Sequence, residues 1–185
     1  MRKRQVQLIV VCEDDEHYSF ACGYLKAKRY SLHRVRSRIS PRGCARDYVK
    51  RQYVLEVRAA RKYCRMNQSE TYGLIILIDQ DTNRQPNVYV DLDAELNNAG
   101  FAARSNSDPF AIFVPKRNVE TWVYHLLDAG RSVDEEEDYC KHQYGIEHPS
   151  YGKAGQAFAS YDPGANCPLP SLRKGCEERQ RIPSP

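Results

Sequence analysis

Residues 72–78 of this chain read Tyr-Gly-Leu-Ile-Ile-Leu-Ile and are followed at once by Asp79-Gln80-Asp81. An unbroken apolar run of this length that ends in acidic residues predicts a strand buried on both faces. Such a strand belongs to a parallel sheet that carries helices on both sides. This stretch therefore decides the class of fold that we expect.

Three further strands are predicted around it. They are Gln5–Cys12, residues 31–39 and Ala111–Pro115. Apolar residues at helical spacing fill the intervals between strands and follow the last one, over Ser19–Arg29, Ala45–Met66, Tyr89–Ala99 and a segment that ends at Leu127. This alternation predicts an α/β fold with a Rossmann-like, mainly parallel sheet, flanked by helices and connected by right-handed crossovers.

The composition changes after Gly130. An acidic run at residues 134–138 precedes a stretch that is dense in Gly, Pro, Ser and Tyr, and helical patterns remain only at Lys153–Ser160 and Ser171–Arg181. We therefore expect one α/β domain over residues 1–130. Residues 131–185 would form an irregular, partly helical C-terminal extension that packs back on the core.

The overall composition is that of a globular protein, with 41% hydrophobic and 28% charged residues. The longest apolar runs, Leu8–Cys12 and Leu74–Ile78, are far shorter than the ~20 residues that span a bilayer. We therefore expect neither a membrane segment nor a secretory signal. Seven cysteines at scattered spacings, without a Cys-x-x-Cys pair, are typical of reduced thiols, so a cytoplasmic protein is expected.

Charge is distributed unevenly along the chain. Residues 1–65 hold 17 Lys/Arg and 6 Asp/Glu, a net of +11, whereas residues 66–185 hold 11 and 18, a net of −7. A polycationic segment attracts nucleic acid or another polyphosphate, although a solvated helix face has the same composition. The residues we expect to contact nucleic-acid phosphates are Arg42, Arg46, Lys50, Arg58, Lys116 and Arg117.

Acidic residues follow the predicted strands at the edge where ligands gather in parallel α/β sheets. Glu13 follows the first strand, Asp79 and Asp81 follow the strand 72–78, and Glu120 lies just beyond the last strand. If the backbone stays extended past Ile78, Asp79 and Asp81 lie on one side, where their oxygens can converge with those of Glu13. Three carboxylates in one place predict a Mg²⁺ site that could polarise a phosphodiester.

Several residues near this edge have alternative roles. Asp14, Asp15 and Glu16 could instead serve as a helix N-cap and first turn, where acidic side chains interact favourably with the helix dipole. His17 could carry a proton or bind a metal, but a surface or capping role is the expected one for a single histidine. Aromatic side chains among the basic residues could stack on unpaired bases or pack in the core, and we expect the core for Tyr30, Tyr48, Tyr53 and Tyr63.

The arrangement of Glu13 after the first strand and the Asp-x-Asp pair at positions 79 and 81 resembles the acidic motifs of the Toprim fold. That fold is shared by topoisomerases, primases, small ribonuclease-maturases and nucleases of the overcoming-lysogenisation-defect type. The resemblance covers about Gln5–Leu127 and implies a Mg²⁺- or Mn²⁺-dependent nuclease. Glu13 would be the acid/base residue or a metal ligand, Asp79 and Asp81 metal ligands, and Glu120 an auxiliary catalytic residue.

Two further segments are similar to small stand-alone Toprim-like proteins of prokaryotes, some of which are encoded beside ATPases in phage-defence loci. They are Asn118–Trp122 and the tail Pro170-Ser171-Leu172 with Glu177-Glu178. The resemblance thus implies an ATPase subunit as a partner. The chain departs from the Toprim pattern at Asp14, where many members have Gly, and at Asn83, where many have a third acidic residue.

The function that we expect is endonucleolytic cleavage of DNA or RNA. A non-catalytic subunit that binds nucleic acid or a partner would keep the basic surface without turnover. A receiver-like phosphoacceptor domain would use a comparable set of residues after its strands, here Asp14, Asp15, Asp79 and Lys116.

Overall fold

The computed structural model of the chain describes residues 5–41, 44–66, 70–81, 87–128, 132–140, 145–164 and 167–185. Its strands are β1 (Gln5–Cys12), β2 (Val35–Ile39), β3 (Glu70–Leu77) and β4 (Phe110–Phe113). Its helices are α1 (Asp15–Ala27), α2 (Ala45–Met66), α3 (Val88–Asn98), α4 (Val119–Leu127), α5 (His148–Ser160) and α6 (Pro170–Glu178). Short 3-10 turns precede β2 at Leu32–Arg34 and follow α6 at Arg179–Arg181.

The four strands form one parallel sheet in the order β2-β1-β3-β4. The predicted α/β class, with a parallel sheet flanked by helices, is therefore confirmed. From β1 the chain moves to β2 on one side, and from β3 it moves to β4 on the other. The carboxyl ends of β1 and β3 consequently meet at the topological switch point, where open α/β sheets bind their ligands.

Alternate residues of the two central strands face two separate cores. Val10 and Ile75 belong to a core with residues of α1, α4, α5 and α6, whereas Val11 and Ile76 belong to a core with residues of α2 and α3. Phe158 of α5 lies at the centre of the first core, with its ring centroid 5.7 Å from that of Trp122. Helices from the segment after residue 131 thus build a large part of this core.

Glycines allow α1 and α5 to approach each other closely. A Cβ atom at Gly155 would lie 2.0 Å from the Phe20 carbonyl oxygen, and one at Gly23 would lie 2.0 Å from that of Gly152. No side chain fits at these distances, since the opposing atoms belong to the backbone. The contact holds α5 directly against the helix that follows β1.

A buried carboxylate links the end of the chain to the sheet. Glu178, 1% exposed, accepts hydrogen bonds from both terminal nitrogens of Arg104 and, at 3.1 Å, from the Ile112 backbone N–H. Removing one partner of such a buried pair typically costs 3–5 kcal/mol, roughly, because the other charge is left uncompensated. This pairing therefore fixes α6 against β4.

The largest differences from the predicted boundaries lie at the starts of three elements. The helix α1 begins at Asp15 rather than at Ser19, because the Asp14 carboxylate accepts the His17 backbone N–H at 2.8 Å and caps the helix. The capping role considered for the acidic segment is thus found at Asp14. In addition, α5 begins five residues earlier than expected, and the residues just before β2 form a 3-10 turn. Within the described ranges, no helix is both long and apolar enough to cross a membrane.

We expect Gly155→Ala to lower the free energy of unfolding by about 2 kcal/mol, because the added methyl group would overlap the Phe20 backbone. Urea unfolding followed by circular dichroism measures the loss. Gly152→Ala on the same helix is the matched control. Its Cβ would meet Ser19 Oγ at 3.5 Å, an ordinary contact, so this variant should be unchanged or slightly stabilised. Equal stabilities of the two variants would contradict the close contact.

Candidate metal centre

The site lies where the carboxyl ends of β1 and β3 meet. Cys12 pairs with Leu77 at the last position of the ladder, so Glu13 and Asp79 emerge side by side from neighbouring strands. The strands themselves are buried, which fixes the two backbones in register. The prediction that strand-end carboxylates meet at this edge is therefore confirmed for these two residues.

Glu13, His17 and Asp79 form a compact group of metal-binding type. One ligand atom from each residue lies within 4.8 Å of the other two. Nε2 of His17 is 3.1 Å from Oδ1 of Asp79, and the Asp79 side chain is 14% exposed. Two carboxylates and an imidazole at these separations are a donor set that fits a divalent cation.

His17 is central to the site, so the expectation of a surface or purely capping role is wrong. Its ring is buried and lies between two carboxylates. Its Nδ1 atom is 3.2 Å from Oδ1 of Asp14, but among the described groups this nitrogen has no hydrogen-bond partner. Helical side chains lean toward the N-terminus, so the third residue of α1 points back to the edge of the sheet. This rule, applied to the start of α1, is the sequence signal that would have identified His17 as a residue of the site.

The charges of the group are strongly coupled. Burial raises the pKa of Glu13 to about 8, and the neighbouring Asp79 and Asp81 raise it further while His17 opposes them. Burial also raises the pKa of Asp79 to about 6, although His17 partly offsets the effect. For His17, burial favours the neutral ring, but the carboxylates of Asp79, Asp14 and Glu13 outweigh it and raise the pKa to about 10. Without a cation, the repulsion between the carboxylates is relieved in part by the charge of His17 and in part by a proton on Glu13.

Glu120 lies next to this group and is held by a tyrosine from the C-terminal segment. The buried Tyr151 hydroxyl donates a hydrogen bond of 2.5 Å to Oε1 of Glu120. Burial, and then Glu120 itself, raise the pKa of Tyr151, so the hydroxyl remains a donor. Glu120 is also among the groups that raise the pKa of Asp79, which places its charge within reach of the site.

Asp81 does not converge with Asp79 as expected. The backbone does not stay extended, because Asp81 has a φ of +63°, in the left-handed region. Its carboxylate is 51% exposed and lies 3.4 Å from the Arg46 guanidinium. The metal-binding group therefore contains His17 in the place that the sequence assigned to Asp81.

Three of the expected phosphate-binding residues have carboxylate partners instead. Arg46 and Lys50 lie 3.4 and 2.9 Å from Oδ2 of Asp91, and their side chains are largely buried between α2 and α3. Lys116 pairs with Glu136. These three side chains contribute to packing and to charge balance, so they offer less to a phosphate than their residue types suggested.

The remaining three candidates differ in their surroundings. Arg58 is exposed on α2. Arg117 follows β4 and is half-buried, and its Nε atom has no hydrogen-bond partner in the described part of the chain. Arg42 lies outside the described residues, as does Asn83.

An open cavity of about 940 Å³ adjoins the metal-binding group. It extends from Glu13 and the start of α1 to the ends of β2 and the beginning of α2, where Ile39, Pro41 and Ala45 line it. His148, at the start of α5, lines it as well. A space of this size admits a substrate much larger than a metal ion.

Comparisons of the chain with family models, with curated proteins and with solved structures find no match. The function of the site is therefore inferred from the geometry and chemistry of its own residues.

In the absence of divalent cations, we expect Glu13→Gln to stabilise the protein at alkaline pH. A pKa raised from 4.5 to about 8 means that the folded state holds this proton more tightly, so the wild type loses stability as the pH rises through that range. The melting temperature of the variant should equal that of wild type near pH 4 and exceed it above pH 8 by at least ~3 °C, the effect of about 1 kcal/mol in a chain of this size.

Thermal unfolding in EDTA across this pH range tests the difference. Asp15→Asn removes an exposed carboxylate from the same segment and should show no such alkaline gain. A gain of equal size in both variants would mean that general charge reduction, and not the burial of Glu13, is responsible.

Proposed function

We propose that the chain is a divalent-metal-dependent enzyme that cleaves phosphodiester bonds of nucleic acid, with its active site at the switch point of the sheet. One observation carries the proposal: the donor atoms of Glu13, His17 and Asp79 lie within 4.8 Å of one another, beside a cavity of about 940 Å³. A phosphodiester is the substrate class for which such a carboxylate-rich metal site and an open cavity are suited.

The residues present fit a divalent cation of the Mg²⁺ or Mn²⁺ type. Glu13 and Asp79 supply hard carboxylate oxygens. Burial, and then the charge of neighbouring carboxylates, raises the pKa of both, and a bound cation would favour their ionised forms. Nδ1 of His17 would add a buried nitrogen ligand once a bound cation, by relieving the carboxylates, had displaced the proton that they hold on the ring. Such a cation, when bound, would neutralise charge on a phosphodiester and lower the pKa of a bound water.

The chain's own residues have separable roles in this proposal. His17, through Nε2, orients the Asp79 carboxylate and balances its charge. Glu13 would be a metal ligand or the acid/base residue; its pKa, raised by burial in the metal-free site, would be lowered by a cation bound to its carboxylate. Tyr151 fixes the orientation of Glu120, the auxiliary carboxylate beside the site.

The Toprim resemblance supports the same assignment for Glu13, Asp79 and Glu120. We carry over from it a prokaryotic setting in phage defence and an ATPase subunit as the partner. A cytoplasmic location is part of the proposal, and it agrees with seven cysteines that are all free in the structure.

A phosphoacceptor function is less well supported by the geometry. Lys116, which would have to face Asp79, pairs with Glu136 instead. Asp79 accepts a hydrogen bond from the protonated ring of His17 and is nearly buried. Both features lower its suitability for attack on a phosphoryl group, so we favour phosphodiester cleavage.

Nucleic-acid cleavage assays with Mg²⁺, Mn²⁺ or EDTA test the proposal. We expect metal-dependent cutting by the wild type and a loss of about 100-fold or more in Glu13→Gln and Asp79→Asn, since direct ligands should matter more than their supporting residues, for which 10–100-fold is typical. Asp81→Asn is the matched control, because Asp81 faces Arg46, and it should lose about tenfold or less.

Other outcomes would point elsewhere. Binding of nucleic acid by all variants without any cleavage, in every metal, would sink the enzyme proposal and leave a binding subunit. A labile phosphate on the protein that disappears in Asp79→Asn would favour the phosphoacceptor.

Tyr151→Phe should lower the cleavage rate by about tenfold while leaving substrate affinity unchanged, because the Glu120 carboxylate would lose the donor that orients it. Rates at saturating substrate, together with the affinity measured in EDTA, separate these effects. Tyr24→Phe, in the same core, serves as the control, because the Tyr24 hydroxyl donates to the Arg179 carbonyl and not to Glu120. If the two variants are equally slow, a general packing defect explains the loss.

A further inference from the structure

A row of exposed cations runs along the outer face of α2. Its members lie at intervals of seven, four and three residues, which places them on one side of the helix. We call this row the α2 cationic stripe; it consists of Arg51, Arg58, Lys62 and Arg65. Leu55 lies within it and is 54% exposed. Asp47 precedes the stripe by one turn, so the positive charge begins at Arg51.

Within the described ranges, no carboxylate forms an ion pair with the stripe. Other cations of α2 have carboxylate partners: Arg46 and Lys50 pair with Asp91, and Arg61 lies 2.8 Å from Asp108. Among the ion pairs of the described residues, none includes a member of the stripe. Three of its members also line a hollow of about 330 Å³ at the end of the helix.

The stripe leads away from the candidate active site. Ala45, the first residue of α2, lines the cavity beside Glu13. At 1.5 Å per residue, Arg51 lies about 9 Å further along the helix and Arg65 about 30 Å further. A single rigid helix therefore connects the cavity to a continuous row of cations.

We propose that the α2 cationic stripe binds the phosphate backbone of duplex nucleic acid and guides it to the cavity; this rests on the proposed function for the identity of the substrate. Four cations in a row, without ion pairs among the described residues, complement the closely spaced phosphates of a polyanion. A helix holds its cations at fixed spacing over about 21 Å, which suits the stiff backbone of a duplex.

The surroundings of the stripe disfavour single-stranded nucleic acid. Proteins that bind single strands present exposed aromatic rings on which the bases stack. Along α2, however, Tyr53 is buried, and Tyr63 packs against Tyr72 with ring centroids 5.6 Å apart. The expectation that these two tyrosines pack rather than stack on bases agrees with these contacts.

Binding measured in EDTA tests the stripe without any chemistry. The probes are DNA duplex, RNA duplex and single strands, each of about 20 bases, twice the length of α2 at 3.4 Å per step. In the variant R51Q/R58Q/K62Q/R65Q we expect duplex affinity to fall at least tenfold. The slope of log affinity against log salt should become shallower by about 3.6, or 0.9 for each phosphate that the variant no longer neutralises.

A control of equal charge change separates the stripe from net charge. K26Q/K28Q/R29Q/K153Q removes four exposed cations from α1, the turn after it and α5, and it should bind within twofold of wild type. If the stripe variant loses affinity for DNA and RNA duplexes equally, the stripe binds the backbone of either polymer. A loss confined to one polymer identifies the substrate. Wild-type affinity of the stripe variant, equal losses in both variants, or preferential binding of single strands would each overturn the proposal.

Hydrolysis of bis(p-nitrophenyl) phosphate distinguishes this proposal from the proposed function. This small diester fits the cavity without reaching the α2 cationic stripe, which begins about 9 Å beyond Ala45, so the stripe variant should hydrolyse it as wild type does. If neither the wild type nor any variant hydrolyses this diester or cuts nucleic acid, the enzyme proposal fails. The binding measurements in EDTA then still test the stripe independently.

Discussion

The Asp79 carboxylate is buried beside a protonated histidine at the point where the two central strands end. A buried charge of this kind is tolerated only with a partner, and His17 supplies it at 3.1 Å. Glu13 is then the second carboxylate in a space with one compensating charge, and its burial, together with repulsion from Asp79, raises its pKa to about 8. The ladder between β1 and β3 holds both backbones in place, so the repulsion cannot be relieved by movement of the strands. A divalent cation or a proton is the remaining way to relieve it.

The position of His17 depends in turn on distant parts of the chain. The ring points to the sheet edge because Asp14 caps α1 at that position. The helix is held by α5, whose Gly155 lies against the backbone at Phe20. The same helix supplies Tyr151 to Glu120 and His148 to the cavity. A segment that is irregular in sequence is thereby part of the site.

The sequence predicts those features that depend on local pattern. The apolar run at 72–78 identifies β3, and strand-end acids identify Glu13 and Asp79 as neighbours, because parallel strands end at a common edge. The sequence does not predict the left-handed backbone at Asp81, because a single unusual φ angle does not change the pattern of apolar and polar residues. Nor does it predict the partners of Arg46 and Lys50, because Asp91 approaches them only after α3 has packed on α2. The hydrogen bond from Tyr151 to Glu120 is not predicted for the same reason, because the two residues are 31 positions apart in the chain.

The separation of charge within the fold has a consequence for a polyanionic substrate. An acidic cluster repels phosphates, so a nucleic acid would not remain near Glu13 and Asp79 by contacts at that site alone. Cations placed along α2 attract the same polymer at a distance from the cluster, where their field is not cancelled by it. Binding energy gained there can hold one phosphodiester in the cavity against the local repulsion, which is the general way in which remote contacts support chemistry. Because Arg46 and Lys50 pair with Asp91, and Arg46 also pairs with Asp81, these cations do not compete with a metal for Glu13 and Asp79. In the proposed function, the acidic edge and the basic helix would therefore act on different parts of one substrate.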